Sequence, residues 1–123
     1  MNEILDGIIK YGIAHRASDI HICNGEVVRY RIDNSIVSPF ESPINSSKIV
    51  QEILSYLPNE VFRQKLQTTY ADGSEIDFSL EFSQNRLRVN AFRDFTGDNV
   101  AIRIIDKHIL TPREIGLPEG LVN

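Results

Sequence analysis

Four arginines carry the chemistry that can be read from this chain. Arg86, Arg88, Arg93 and Arg103 fall within Glu75–Ile105, a stretch with the two-residue period of β-strands. Ile76, Phe78, Leu80 and Phe82 alternate with Asp77, Ser79 and Glu81. Leu87, Val89 and Ala91 alternate with Arg86, Arg88 and Asn90, and Val100, Ile102 and Ile104 with Ala101, Arg103 and Ile105. This pattern predicts an antiparallel sheet wet on one face. A two-residue loop at Ser83-Gln84 would put Glu81 opposite Arg86, Ser79 opposite Arg88 and Asp77 opposite Asn90. Joining residues 91 and 100 through Asp94-Phe95-Thr96-Gly97 would then put Arg88 opposite Arg103.

The two pairings differ in kind. Glu81–Arg86 is an exposed ion pair worth about 0–1 kcal/mol. Like charges directly opposite, as in Arg88–Arg103, are unfavourable unless something offsets them. Two planar guanidinium forks suit an anion, phosphate first. The alternatives are that Asp77 or Glu81 neutralises the pair, or that the register differs by two residues.

Other candidate chemistry is thin. Asp19, His21 and Cys23 share one strand face, but alternate strand residues about 7 Å apart strain a single tetrahedral metal site. His15 and His108 stand apart from them, so no metal is expected. The chain has no G-x-x-x-x-G-K-S/T, G-x-G-x-x-G or G-x-S-x-G motif. A phosphate-cradling loop and a nucleophile elbow are therefore both missing.

The elements that must position these residues come next. At 123 residues the chain is long enough for one domain with its own core. Residues 3–15 read as a helix with Ile4, Leu5, Ile8, Ile9 and Ile13 as its stripe, its last turn weakened by Gly12. Asp19–Cys23 reads as a short strand, and Asn24-Gly25 as a turn into a strand over residues 26–32. A turn at Asp33-Asn34-Ser35, a strand at 36–38 and a loop between Pro39 and Pro43 follow. Asn45, Ser46 or Ser47 would cap a second helix that buries Ile49, Val50, Ile53, Leu54 and Leu57. Pro58 would open a third helix, with Val61, Phe62 and Leu66 turned inward. After the central strands, Thr111-Pro112-Arg113-Glu114 reads as a helix start. The expected class is α+β: an antiparallel sheet of about six strands with helices on one face.

Charge and cysteine usage narrow the function. A net charge of −4 argues against a general nucleic-acid binder, although a local basic patch needs only a few arginines. The lone cysteine, Cys23, allows no internal disulfide and favours a reducing compartment. No apolar run approaches the roughly 18 residues of a membrane span, and the first residues lack signal-peptide features. A cytoplasmic domain is expected.

Several segments together resemble one family. ASDIHI (17–22), RYRIDN (29–34), EIDFSLE (75–81), RLRVNAFR (86–93) and IRII (102–105) followed by LTPREIGLP (110–118) are similar, in order and spacing, to the N-terminal domain of PilT-like pilus-retraction ATPases. These belong to the type II/type IV secretion ATPase superfamily. The resemblance implies a PAS-like domain over residues 1–109, with 110–123 a short helix and linker toward a RecA-like motor domain absent from this chain. It implies a hexamer that uses ATP and Mg2+ in the full-length protein, with no cofactor held by the isolated domain. The implied partners are the motor domains of the same and neighbouring subunits and the pilus or secretion machinery at the inner face of the cytoplasmic membrane. Nucleic acid is not among them. Arg88 and Arg103 match family arginines that reach ATP phosphates, and Arg86 and Arg93 are further candidates. Asp33-Asn34 replaces the family's usual Asp-Gly turn. Outside the family, the same fold class fits a free-standing PAS-like sensor or interaction adaptor.

Overall fold

The computed structural model describes residues 3–46 and 48–105. The expected helix start at Thr111 and the linker over 110–123 lie outside the described residues. Helix α1 (Glu3–Ala14) leads into β1 (Asp19–Cys23), β2 (Arg29–Ile32) and β3 (Ser35–Val37). Helices α2 (Ile49–Leu54) and α3 (Glu60–Ala71) follow, then β4 (Ile76–Phe82), β5 (Asn85–Asp94) and β6 (Gly97–Ile105). The strands form one antiparallel six-stranded sheet in the order β3-β2-β1-β6-β5-β4. The α+β class and the strand count are as the sequence predicts.

Register is set by tight turns. Ser83 and Gln84 have φ of 46° and 67°, and Asp33 and Asn34 have 50° and 64°. These paired positive values belong to two-residue hairpin loops, whose twist matches that of the strands they join. They fix Glu81 opposite Arg86 and Ser79 opposite Arg88 on one side, and Ile32 opposite Ser35 on the other. The β5–β6 loop is tighter than the sequence suggests, with Asp94 pairing Gly97 and only Phe95 and Thr96 left to turn.

The apolar sheet face and the helices share one core. Ile20, Tyr30, Phe78, Leu87, Val89 and Ile102 are buried against Leu5, Ile9, Ile53, Leu54 and Tyr70. Gly12 allows close packing: a Cβ there would stand 3.0 Å from Ile20 and 3.1 Å from Ile104. Glycine thus brings α1 down onto the sheet beside the ends of β1 and β6. The Tyr30 hydroxyl, in the middle of this core, donates to the Ile8 carbonyl at 2.7 Å, which settles a buried polar group.

Five local expectations change. Val61 (78% exposed) and Phe62 do not face inward. Burial rises along α3 to Leu66 and Tyr70, so the helix enters the core with its C-terminal half. Asn59 caps α3 by accepting from the Phe62 amide at 2.9 Å, leaving Pro58 before the cap. The N-cap of α2 is Lys48, without a side-chain bond, and Ser46 is drawn to Asp98 instead, while Ser47 lies outside the described residues. Ile4 is exposed although it belongs to the predicted stripe. The second strand begins at Arg29, because Glu26 pairs with Ile44 in an isolated bridge. Among the described residues, no helix is long and apolar enough to cross a membrane.

Candidate functional site

The wet face of the sheet carries a row of direct cross-strand partners. Arg31 on β2 faces Asp19 on β1, Asp19 faces Arg103 on β6, Arg103 faces Arg88 on β5, and Arg88 faces Ser79 on β4. The Arg88–Arg103 pairing is the one the two loops predict. Like charges directly opposite are unfavourable, so the pair needs counter-charges.

Carboxylates on either side supply them. Asp19 accepts from Arg103 Nε at 3.3 Å and lies 3.8 Å from Arg31 Nε. Asp77 lies 3.7 Å from a terminal nitrogen of Arg88. The expected alternative of neutralisation by Asp77 is thus partly realised, whereas Glu81 pairs with Arg86 at 3.4 Å. The two carboxylates sit on opposite flanks of the arginine pair. Between them lies an open concavity of about 340 Å³, lined by Asp19, His21, Asp77, Arg88, Asn90 and Arg103 among others.

Asp19 is the most enclosed charge of the row, at 18% side-chain exposure against 69% for Arg103. Burial is the largest single influence on its pKa and pushes it up. The Ser18 hydroxyl, which donates at 2.8 Å, then Arg103 and the charge of His21 outweigh burial and hold the carboxyl below its ordinary value. It therefore stays ionised as a fixed counter-charge.

The four arginines named from the sequence do not form one cluster. Arg88 and Arg103 meet at the concavity, and Arg86 sits one step along β5, opposite Ile105 and tied to Glu81. Arg93 is on the other face. It shares the parity of Leu87, Val89 and Ala91, donates from Nε to Asp98 at 3.0 Å and stacks 4.7 Å above the Tyr70 ring. Tyr70 also donates to Asp98. Burial first, and then the bond to Asp98, push the Tyr70 pKa up to about 12. This group ties α3 to the β5–β6 hairpin.

Three residues of the wet face were not assigned to the anion site from sequence: Arg31, Asp19 and His21. The alternation in Asp19–Cys23 put Asp19 and His21 on one face, but only the pairing of β1 with β6 brings that face beside Arg103. Among the described residues, no group of three or more His, Cys, Asp or Glu side chains could hold a metal ion. Exposed, fork-shaped donors around an open concavity fit a phosphate group.

The fold of this chain recurs in solved structures of known proteins. No family model matches it. Among curated proteins it is similar to YggR, an uncharacterized protein of Escherichia coli K12, with 26% identity over 119 residues. That match covers 95% of this chain and 34% of YggR. Among solved structures it superposes on the pilus retraction motor PilT with bound ADP at 28% identity and a TM-score of 0.69, over 95% of this chain and 33% of PilT. The DotB ATPase of Legionella pneumophila aligns at 22% identity and a TM-score of 0.65, over 96% of this chain and 32% of DotB. The DotB of Yersinia pseudotuberculosis aligns at 19% and 0.67, over 98% and 34%. The DotB likenesses show the fold alone. The chain is thus structurally akin to PilT- and DotB-type ATPases and spans about a third of the length of each protein it matches.

Proposed function

We propose that this chain acts as the N-terminal domain of a PilT-like hexameric secretion or type IV pilus ATPase. Its wet sheet face would supply Arg88 and Arg103 to the phosphates of ATP held by a RecA-like motor domain, and would couple hydrolysis to movement between domains. The observation that carries the reading is the direct opposition of Arg88 and Arg103 beside an open concavity. The flanking carboxylates offset the like charges but leave both arginine side chains more than half exposed and open to an anion. The likeness to PilT, solved with bound ADP, supports the choice of a nucleotide. The triphosphate and Mg2+ would supply the reactive bond, and the arginines would stabilise charge gathering on the transferred phosphoryl group. Arg86, already paired with Glu81, would contribute at most to the surrounding field, and Arg93 faces away. The motor would work at the inner face of the cytoplasmic membrane, with neighbouring subunits and the pilus or secretion machinery as partners; twitching motility is one process such a motor serves.

ATPase assays of the intact protein test this. Arg88→Ala and Arg103→Ala are each expected to cut turnover at least about a hundredfold, given what comparable arginines contribute, while hexamers still form. Normal turnover in both variants would remove the proposed role.

One observation favours a second reading, a sensor or adaptor. A groove of about 700 Å³ runs between α1 and the segment before α2, walled by Ile4, Tyr11, Phe40 and Pro43. A small apolar ligand retained there would be seen in native mass spectra of the purified chain.

A further inference from the structure

The concavity between the two arginines has a floor, and the floor is more specific than the rim. In the row next to the arginines, Arg29 faces His21, His21 faces Ala101, Ala101 faces Asn90, and Asn90 faces Asp77. Ala101 offers a single methyl group where each neighbour in the row offers a long or planar polar side chain. The depression exists because this one position is small. Asn90 forms a fixed wall, since its Nδ2 donates to the Ile76 carbonyl at 3.2 Å. Arg103 spends its Nε on Asp19 and remains exposed.

Charge makes His21 decisive. Of the groups lining the depression, Arg88 and Arg103 carry two positive charges and Asp19 and Asp77 two negative ones, so these four cancel. His21 is the remaining titratable side chain on that lining. Imidazole is the side chain that ordinarily changes charge between about pH 5 and 8. The charged and titratable groups that face it are Asp19 and Cys23 on its own strand, Arg29 and Arg31 on β2, Arg103 on β6, and Arg88 and Asp77 beyond. Without a proton on His21 the lining is neutral; with one it is a net cation.

Building on the phosphate reading above, we propose that the depression over Ala101 is the seat of a terminal phosphate group, with His21 as its third ligand and the group whose protonation turns the site toward anions. The phosphate oxygens take bonds from the terminal nitrogens of Arg88 and Arg103 on one side and from the His21 ring on the other. Ala101 keeps the space open. A nucleotide's outermost phosphate fits this seat better than a sugar or a base, because the lining offers guanidinium and imidazole donors and no Phe, Tyr or Trp ring.

The test uses this chain and inorganic tripolyphosphate, with binding followed by calorimetry and by NMR of the His21 ring and the Ala101 methyl group. The wild type is expected to bind about tenfold more tightly near pH 6 than near pH 8. His21→Gln is expected to show only the weaker pH response that the ligand's own protonation produces. Ala101→Leu fills the depression without changing charge and is expected to weaken binding about tenfold at both pH values. Ala101→Val, which suits a strand, serves if the leucine variant misfolds. A wild-type pH profile in His21→Gln, or wild-type affinity in the filled variants, overturns the seat. If Arg88→Ala and Arg103→Ala still weaken binding in that case, the phosphate reading survives it. Undiminished binding in both arginine variants sinks the phosphate reading itself. No shift in the wild type at tens of millimolar tripolyphosphate near pH 6 overturns the seat, while the phosphate reading is then decided by the ATPase assays of the intact protein.

Discussion

Arg88 and Arg93 stand on the same strand, yet they serve opposite faces of the sheet. Arg88 lies on the wet face, opposite Arg103, held loosely by Asp77 at 3.7 Å. Arg93 lies on the helix side, bound to Asp98 at 3.0 Å and stacked on Tyr70. Asp98 is only 14% exposed, whereas Asp77 is 58% exposed. One arginine is fastened by its fold, and the other is left with capacity for a ligand. The same residue type is structural where an enclosed carboxylate and an aromatic ring fix it. It is available where its counter-charge is solvated and a like charge stands opposite.

The contrast can be broken from the helix side first. Leu87→Ala, beneath the wet face and fully buried, is expected to cost about 2–5 kcal/mol, read as a fall in the urea midpoint. Tyr70→Phe removes the hydroxyl that meets Asp98 and is expected to cost about 1–2 kcal/mol in the same assay. An unchanged midpoint would mean that the Arg93–Asp98–Tyr70 group is not a fastening. Its alkaline behaviour follows from the raised tyrosine pKa. Stability owed to neutral Tyr70 is complete below about pH 10, where the unfolded phenol begins to ionise, and is lost as pH rises through about 12. Tyr70→Phe should flatten that part of the pH–stability curve.

Wet-face changes should barely move stability. Arg88→Ala and Arg103→Ala are expected to stay within about 0.5 kcal/mol of the parent, since relief of repulsion offsets the lost exposed pairs. Asp19→Asn should act at acid pH. The folded Asp19 carboxyl titrates below its ordinary value, so its contribution is present above about pH 4 and is lost as pH falls through the folded pKa. The asparagine variant should show a shallower acid limb in pH-dependent urea melts.

Much of this was legible in the chain. Ser83-Gln84 and the short Asp94–Gly97 connection fixed the β4–β5–β6 register, and with it the Arg88–Arg103 opposition. Local alternation was enough because each loop is short. The face of Arg93 was also readable, since it shares parity with Leu87, Val89 and Ala91. Asp19 was not. It reaches Arg103 across 84 residues of sequence through β1–β6 pairing, and alternation does not say which strands become neighbours. Val61 and Phe62 misled for a related reason. A helical stripe gives the face that can be buried, whereas only Leu66 and Tyr70, in the C-terminal half of α3, reach the core.

The central claim, that Arg88 and Arg103 serve a ligand while Arg93 serves the fold, is tested most directly by measuring ATPase turnover and urea midpoint together in the intact protein carrying Arg88→Ala, Arg103→Ala or Arg93→Ala. The account predicts that the first two lose turnover at unchanged midpoint. It predicts that the third loses midpoint and keeps its turnover under conditions where it is folded. Normal turnover in Arg88→Ala and Arg103→Ala, or a collapse of turnover in fully folded Arg93→Ala, would contradict it.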